Sequence, residues 1–370
     1  MADQSKLKLP HRAEHIGSLL RPPALREAFK ARAAGKMSEA AYREIEDRCI
    51  VEAIRMQEAA GLATITDGEF RRSSWAFGLV NAVEGFGLAP SMFEFHDAAG
   101  NNYGFETCQA TAKIRRTRPI AVDDFAFVRR HTRRVPKVTM PAPSFMHFFR
   151  GKSCVDPAVY PGLAEFWADL VHVYREELDA LGRAGAEYLQ IDEVPLTMLC
   201  DPAVRERARA IGEDPETLVT TYINAVNDAL ATRPPRMTVG MHLCRGNLRS
   251  RWLAAGSYEP VAARLFNEVR VEAFFLEYDT ERAGDFAPLR LVPPDKTVVL
   301  GLVSTKSPVL ETPEALRRRI DEAARYVPLE RLALSPQCGF ASTVGGNLLS
   351  ADDQRRKLEL VADVARRVWG

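Results

Sequence analysis

His242 and Cys244 stand two residues apart in MHLCRGN (241–247), just after the short apolar run that opens at Met237. On a β-strand, residues i and i+2 face the same side, so both side chains can point at one ion. The pair alone is a weak signal, because a buried histidine or cysteine is commonly a core residue. Two more donors end neighbouring strand-like runs: Glu277 closes AFFLE and Cys338 follows LALSP. His242, Cys244, Glu277 and Cys338 together make a tetrahedral donor set, and two thiolates with one imidazole suit zinc among the common metals. A thiolate-rich zinc is a poor Lewis acid towards water and is better matched to a substrate thiol. Free thiols titrate near ~8.5, so a metal that holds the deprotonated form supplies a sulfur nucleophile at neutral pH. The chemistry expected is alkyl transfer to sulfur. The other cysteines (Cys49, Cys108, Cys154, Cys200) fall in expected helices or loops and are read as structural.

Eight apolar, β-branched runs must position these groups: 15–18, 62–67, 137–141, 188–193, 237–242, 273–278, 298–303 and 332–336. Between most of them lie stretches of helical periodicity, including 40–61, 163–185, 215–231 and 313–327, many ending in glycine. Alternating strands and helices imply a parallel sheet, and eight such strands with interposed helices imply an α/β fold of one (β/α)8 TIM barrel. No G-x-G-x-x-G follows the first run, which weakens a dinucleotide-binding reading. The region 70–136 is too long for a strand-to-helix connection. Its alternating run TCQATAKIRRTRPI (107–120) is read as a β-hairpin or ribbon excursion between the second and third strands. Residues 1–370 are expected to form a single catalytic domain.

Catalytic groups of such a barrel gather at the C-terminal strand ends. Polar or metal-capable residues end seven of the eight runs: Gly17-Ser18, Asp67-Gly68-Glu69, Asp192-Glu193, His242 with Cys244, Glu277, Ser304-Thr305-Lys306 and Cys338-Gly339. That recurrence points to one site around a barrel mouth. The basic cluster RRHTRRVPK (129–137) is read as a solvated face, with a place beside an anionic substrate tail as the alternative.

Composition agrees with a soluble enzyme: 46% hydrophobic, 27% charged and net charge +1. Such a balance gives no general attraction to nucleic acid or membrane. There is no apolar run of membrane-spanning length and no signal-peptide core at the N-terminus. Six scattered cysteines in a long chain suggest reduced thiols and a cytoplasmic location.

The segments HIGSLLRP, HLCRGN, FFLEYD, GLVSTKSP and LSPQCGFAST resemble the catalytic barrel of the cobalamin-independent methionine synthase family, within the superfamily of uroporphyrinogen decarboxylase. Closest in kind are its short, single-barrel members. The resemblance spans essentially the whole chain. It implies a zinc-dependent S-methyltransferase that methylates the thiol of homocysteine, with His242, Cys244, Glu277 and Cys338 as zinc ligands. It further implies that Ile16-Gly17-Ser18 hold the amino-acid carboxylate and that Glu69 and Asp192 hold its ammonium group. The donor would be methyltetrahydrofolate or another methyl carrier, such as methylcobalamin or a corrinoid protein. Three departures stand out. The full-length family has two barrels. Its D-I-H-S-P segment reads S-T-K-S-P here, so Lys306 replaces a histidine and becomes the candidate catalytic acid. Its G-P-V-T reads Pro141-Ala-Pro-Ser. Rival readings are a thiol alkyltransferase of the epoxyalkane–coenzyme M type and a non-catalytic zinc-binding barrel.

Overall fold

The computed structural model describes residues 10–370. Its strands in chain order are β1 (Thr64–Ile65), β2 (Val83–Pro90), β3 (Phe95–His96), β4 (Asn102–Tyr103), β5 (Glu106–Arg116), β6 (Val135–Pro136), β7 (Val138–Pro141), β8 (Tyr188–Asp192), β9 (Thr238–Leu243), β10 (Ala273–Glu277), β11 (Thr297–Val303) and β12 (Leu332–Pro336). The last six form one sheet in the order β7-β8-β9-β10-β11-β12, every neighbouring pair parallel. Almost every residue in them is buried, as expected of parallel strands covered on both faces. Register places Asp192 beside His242 and Glu277 beside Gly301.

Helices connect these strands where the periodicity predicts them. The helix Leu163–Ala184 ends on Gly185, whose φ of 85° is the left-handed conformation a helix stop favours. The helix Ala351–Trp369 starts from a capping box between Ser350 and Asp353. The helix expected over 313–327 stops earlier, at Ala323.

The first two predicted strands are corrected by the structure. Residues 15–18 form no strand, and only Ala13 bridges in parallel to Leu334 of β12. The physical reason lies in who takes the backbone. The carbonyls of His15, Ile16 and Gly17 accept hydrogen bonds from Lys137, Gln190 and Thr66 side chains. Gly17 also sits at φ 137°, off the strand path. Over 62–67 only Thr64–Ile65 pairs, with Val135–Pro136. The Gln57 side chain takes both backbone groups of Thr66, accepting from its N–H and donating to its carbonyl, each at 2.9 Å.

Between these elements, β2 and β5 pair antiparallel from Val83–Arg116 to Pro90–Glu106, and β3 pairs with β4. The basic cluster divides. Arg129, Arg130 and Arg133 are exposed, whereas Lys137 is buried and ion-paired to Glu14 at 3.2 Å. Lys137 therefore departs from the solvated reading. Its ammonium also donates to Gln190 at 2.9 Å and helps hold the 14–16 segment against the sheet.

Candidate metal and substrate site

The C-terminal ends of β8, β9 and β12 bring buried polar groups together. His242, Cys244 and Cys338 offer ligand atoms that all lie within 4.8 Å of one another. The two sulfurs are 3.8 Å apart. Tetrahedral zinc with Zn–S bonds of ~2.3 Å sets two thiolates about 3.8 Å apart, so the spacing fits the ion. Neither ring nitrogen of His242 has a well-formed hydrogen bond, although the ring is buried. A buried imidazole left without partners costs free energy unless something is bound there. The residues present therefore fit zinc.

Charges within the cluster are strongly linked. Cys338 is held well below the usual thiol range, first by its hydrogen bond with Cys244 and then by His242, against the effect of burial. The same bond, with burial, pushes Cys244 well up. The two sulfurs thus share one proton, and His242 beside Cys338 favours the thiolate there.

Glu277 lies outside this compact trio. One carboxylate oxygen accepts the Arg245 backbone N–H at 2.5 Å, and the other faces Arg282 at 3.3 Å and Lys306 at 3.6 Å. Burial would raise its pKa, but Lys306, Arg245 and Arg282 together prevail and hold it down to about 2. Lys306 is nearly buried and faces that carboxylate.

A cavity of about 280 Å³ opens beside the cluster. Its lining includes Ile16, Ser18, Glu69, Asp192 and the three clustered ligand candidates, but not Gly17, Glu277 or Lys306. Gly17 is packed tightly behind it. A Cβ there would meet Thr139 at 2.8 Å and the Glu69 carboxylate at 3.0 Å. Gly339 meets Ser18 closer still, with its hydroxyl 1.9 Å from where a Cβ would stand.

Glu69 and Asp192 are buried carboxylates aimed at this space. Glu69 has the left-handed φ of 60°, a strained conformation for a residue with a side chain. It accepts from Thr139 at 2.9 Å, while its second oxygen has no hydrogen bond among the described residues but faces the buried Arg72 guanidinium at 3.8 Å. Burial pushes Glu69 up to about 7, opposed by Arg72 and reinforced by Asp192. Burial also pushes Asp192 up to about 6, against His242 and a 2.7 Å hydrogen bond from Gln190. Two such groups side by side are arranged to receive a cation.

Sequence reasoning left Arg245-Gly246-Asn247 without a role and did not single out the aromatic residues of the cavity. Arg245 is fully buried. Its guanidinium lies 4.4 Å over the Tyr258 ring and donates to Gly256 and Glu277 carbonyls. Asn247 donates to the Gly339 carbonyl at 2.9 Å. These residues tie the end of β9 to the ends of β10 and β12. Their adjacency to the His-x-Cys pair was the available signal. Trp75, Phe77, Phe95, Phe105, Phe145 and Phe149 line the cavity, and nothing in their spacing distinguishes them from core residues.

The catalytic-domain family of cobalamin-independent synthase matches residues 12–366. An uncharacterized protein of Bacillus subtilis, YxjH, is 40% identical over 99% of this chain and 97% of its own. A solved structure from Listeria monocytogenes, assigned as a vitamin-B12-independent methionine synthase, is 33% identical. It aligns with a TM-score of 0.76 over 98% of each chain. A methionine synthase of Pyrococcus furiosus is 26% identical over 88% of this chain and 85% of its own.

Proposed function

The chain belongs to the cobalamin-independent synthase catalytic-domain family, and on that premise we propose a zinc-dependent S-methyltransferase that converts homocysteine to methionine. The donor in this reading is methyltetrahydrofolate or another methyl carrier. The observation that carries it is the buried trio of His242, Cys244 and Cys338 opening on a cavity with two carboxylates. Zinc held by that trio, with Glu277 completing the set, would supply the substrate sulfur as a thiolate at neutral pH. Glu277 joins only by turning from Arg245, Arg282 and Lys306.

The protein's own residues do the rest. Glu69 and Asp192 bind the substrate ammonium, and the arriving cation favours their ionised forms. The turn at Ile16-Gly17-Ser18 takes the carboxylate, with Gly17 leaving room for Glu69. These contacts fix the sulfur in line with the donor methyl, which replaces a bimolecular encounter by an oriented one. Lys306 acts as a positioning residue, holding the Glu277 carboxylate until it is needed.

In this reading residues 1–370 are one domain whose sheet closes into a (β/α)8 barrel. Closure is supported by the Ala13–Leu334 bridge, the Thr64–Val135 pair and the Thr66 hydroxyl donating to Gly17. Residues 70–136 are an excursion from it. A cytoplasmic setting goes with this chemistry, because Cys244 and Cys338 serve only as free thiols.

The test is metal analysis of purified protein together with methyl transfer to homocysteine. Zinc near one per chain, lost in Cys338→Ala, is the expected result. A wild-type protein free of stoichiometric zinc after zinc reconstitution would falsify the reading. A thiol alkyltransferase with another acceptor would keep the zinc but would not require Glu69 and Asp192. Comparing homocysteine with a thiol lacking the amino-acid group separates the two.

A further inference from the structure

Glu69 and Asp192 each accept a hydrogen bond from a buried neutral side chain, and the two donors are neighbours. Thr139 on β7 and Gln190 on β8 are register partners. The Thr139 hydroxyl meets Glu69 at 2.9 Å, and the Gln190 amide meets Asp192 at 2.7 Å.

A hydroxyl or an amide can face either way, so its direction needs a cause. In each case a buried cation supplies one. Arg72 reaches the Thr139 hydroxyl at 3.0 Å and the Thr139 carbonyl at 2.8 Å. A guanidinium only donates, so the hydroxyl oxygen accepts there and its single hydrogen is left for Glu69. The well-formed bonds of Arg72 thus go to Thr139, and it faces the second oxygen of Glu69 only at 3.8 Å. Lys137 meets the Gln190 amide oxygen at 2.9 Å. Its other partners are the Glu14 carboxylate and the His15 carbonyl, three acceptors for three ammonium hydrogens. With its oxygen taken, Gln190 turns its NH2 group to Asp192 and to the Ile16 carbonyl, each at 2.7 Å.

Two donor chains of the same polarity result. Arg72 directs Thr139 onto Glu69, and Lys137 directs Gln190 onto Asp192. Both end on a carboxylate that lines the cavity. A hydrogen bond given to a carboxylate favours its charged form, and that form attracts an ammonium group.

We propose that Thr139 and Gln190 are positioning residues of the ammonium site, each orienting one acid in a direction set by the buried cation behind it. This rests on the homocysteine reading and deepens it. Gln190 has a second part, because the same amide holds the Ile16 carbonyl and so the turn that takes the substrate carboxylate. The charged groups facing Glu69 are Arg72, Asp67 and Asp192, and Arg21 donates to its backbone carbonyl at 2.7 Å. Thr139 can be changed without altering any of those charges.

The experiment titrates zinc-reconstituted full-length protein, by calorimetry, with homocysteine and with its desamino analogue, the same thiol acid without the amino group. Their affinity ratio isolates the ammonium contribution, because thiol and carboxylate are common to both. Thr139→Val, which keeps the side-chain shape, should lower that ratio about tenfold, the effect of losing one hydrogen bond to a charged group. The pH midpoint of the ratio should also move up from about 7, because Glu69 loses a donor that favours its ionised form. Thr139→Ser keeps the hydroxyl and should stay within about twofold of wild type. Gln190→Met is an independent arm. It should weaken both thiols through the Ile16 turn and lower the ratio about tenfold as well. Zinc should be retained in all three variants, and its loss would show a structural role and overturn the proposal. An equal loss for both thiols, or an unmoved midpoint in Thr139→Val, overturns it too and leaves the homocysteine reading standing. A wild-type ratio near one, or no homocysteine binding, overturns both.

Discussion

Cys338 supplies the sharpest residue-level expectation. It is the sulfur that the trio keeps deprotonated, so Cys338→Ala removes both a ligand and the charge that favours a dication. Activity should fall by more than the ~10–100-fold typical of losing a supporting hydrogen bond. Bound zinc, read by elemental analysis, should drop with it, whereas Cys200→Ala keeps its metal. Glu69 gives a second test. Its folded pKa of about 7 means the carboxylate must ionise to receive an ammonium group. Methionine affinity should therefore rise as pH goes from 6 to 8, by up to about tenfold per unit for one proton. Glu69→Gln should flatten that dependence and weaken binding about 10–100-fold, the worth of a charged hydrogen bond. Calorimetry across the pH range would expose a failure as an unchanged slope. The clustering of His242, Cys244 and Cys338 was legible because each lies at or just after the end of an apolar run. The aromatic lining of the cavity was not, because a phenylalanine facing a cavity and one facing a core look alike in sequence.

At the scale of elements, the six strands of the sheet were readable as continuous buried runs, and the first two were not readable as what they are. Their backbone is satisfied by Gln57, Thr66, Lys137 and Gln190 side chains, most of them far away in the chain. Local patterning carries no record of that exchange. Gln57→Leu should expose the consequence. It strands the buried N–H and carbonyl of Thr66 and should cost about 2–4 kcal/mol, read as a lower urea midpoint. A loss below about 0.5 kcal/mol would mean the segment finds its partners elsewhere. Arg245 is a similar case in the loop after β9. Apart from its place after the His-x-Cys pair, nothing in its sequence context marks it, and it is a buried brace between three chain segments.

For the whole molecule, buried acids dominate the response to mild pH change. Burial lifts Glu69, Asp124 and Glu193 to about 7 each. An acid with a raised folded pKa binds more protons folded than unfolded, so stability falls as pH rises through that value. The urea midpoint, measured with zinc present, should therefore increase as pH is lowered through 7 towards the ordinary carboxylate range, with little change between 8 and 7.5. Below 6.5 two histidines oppose the acids. Burial depresses His15 to about 3 and His147 to about 4, so their share is present above 6.5 and lost on acidification. His147→Asn should leave the upper window unchanged and remove one proton's slope between 6.5 and 4. An identical slope in wild type and variant would refute that assignment.

The contact between Ser18 and Gly339 has a consequence for the timing of assembly. The two residues touch across more than three hundred positions of chain, and the site is unfinished until both are present. Synthesis at ~5–20 residues per second takes about 20–70 seconds for a chain of this length. For most of that interval His242 and Cys244 have no Cys338 to meet. On the zinc reading, the three ligands exist together only after Cys338 has been made, so the metal would enter after the strands of the sheet have been synthesised.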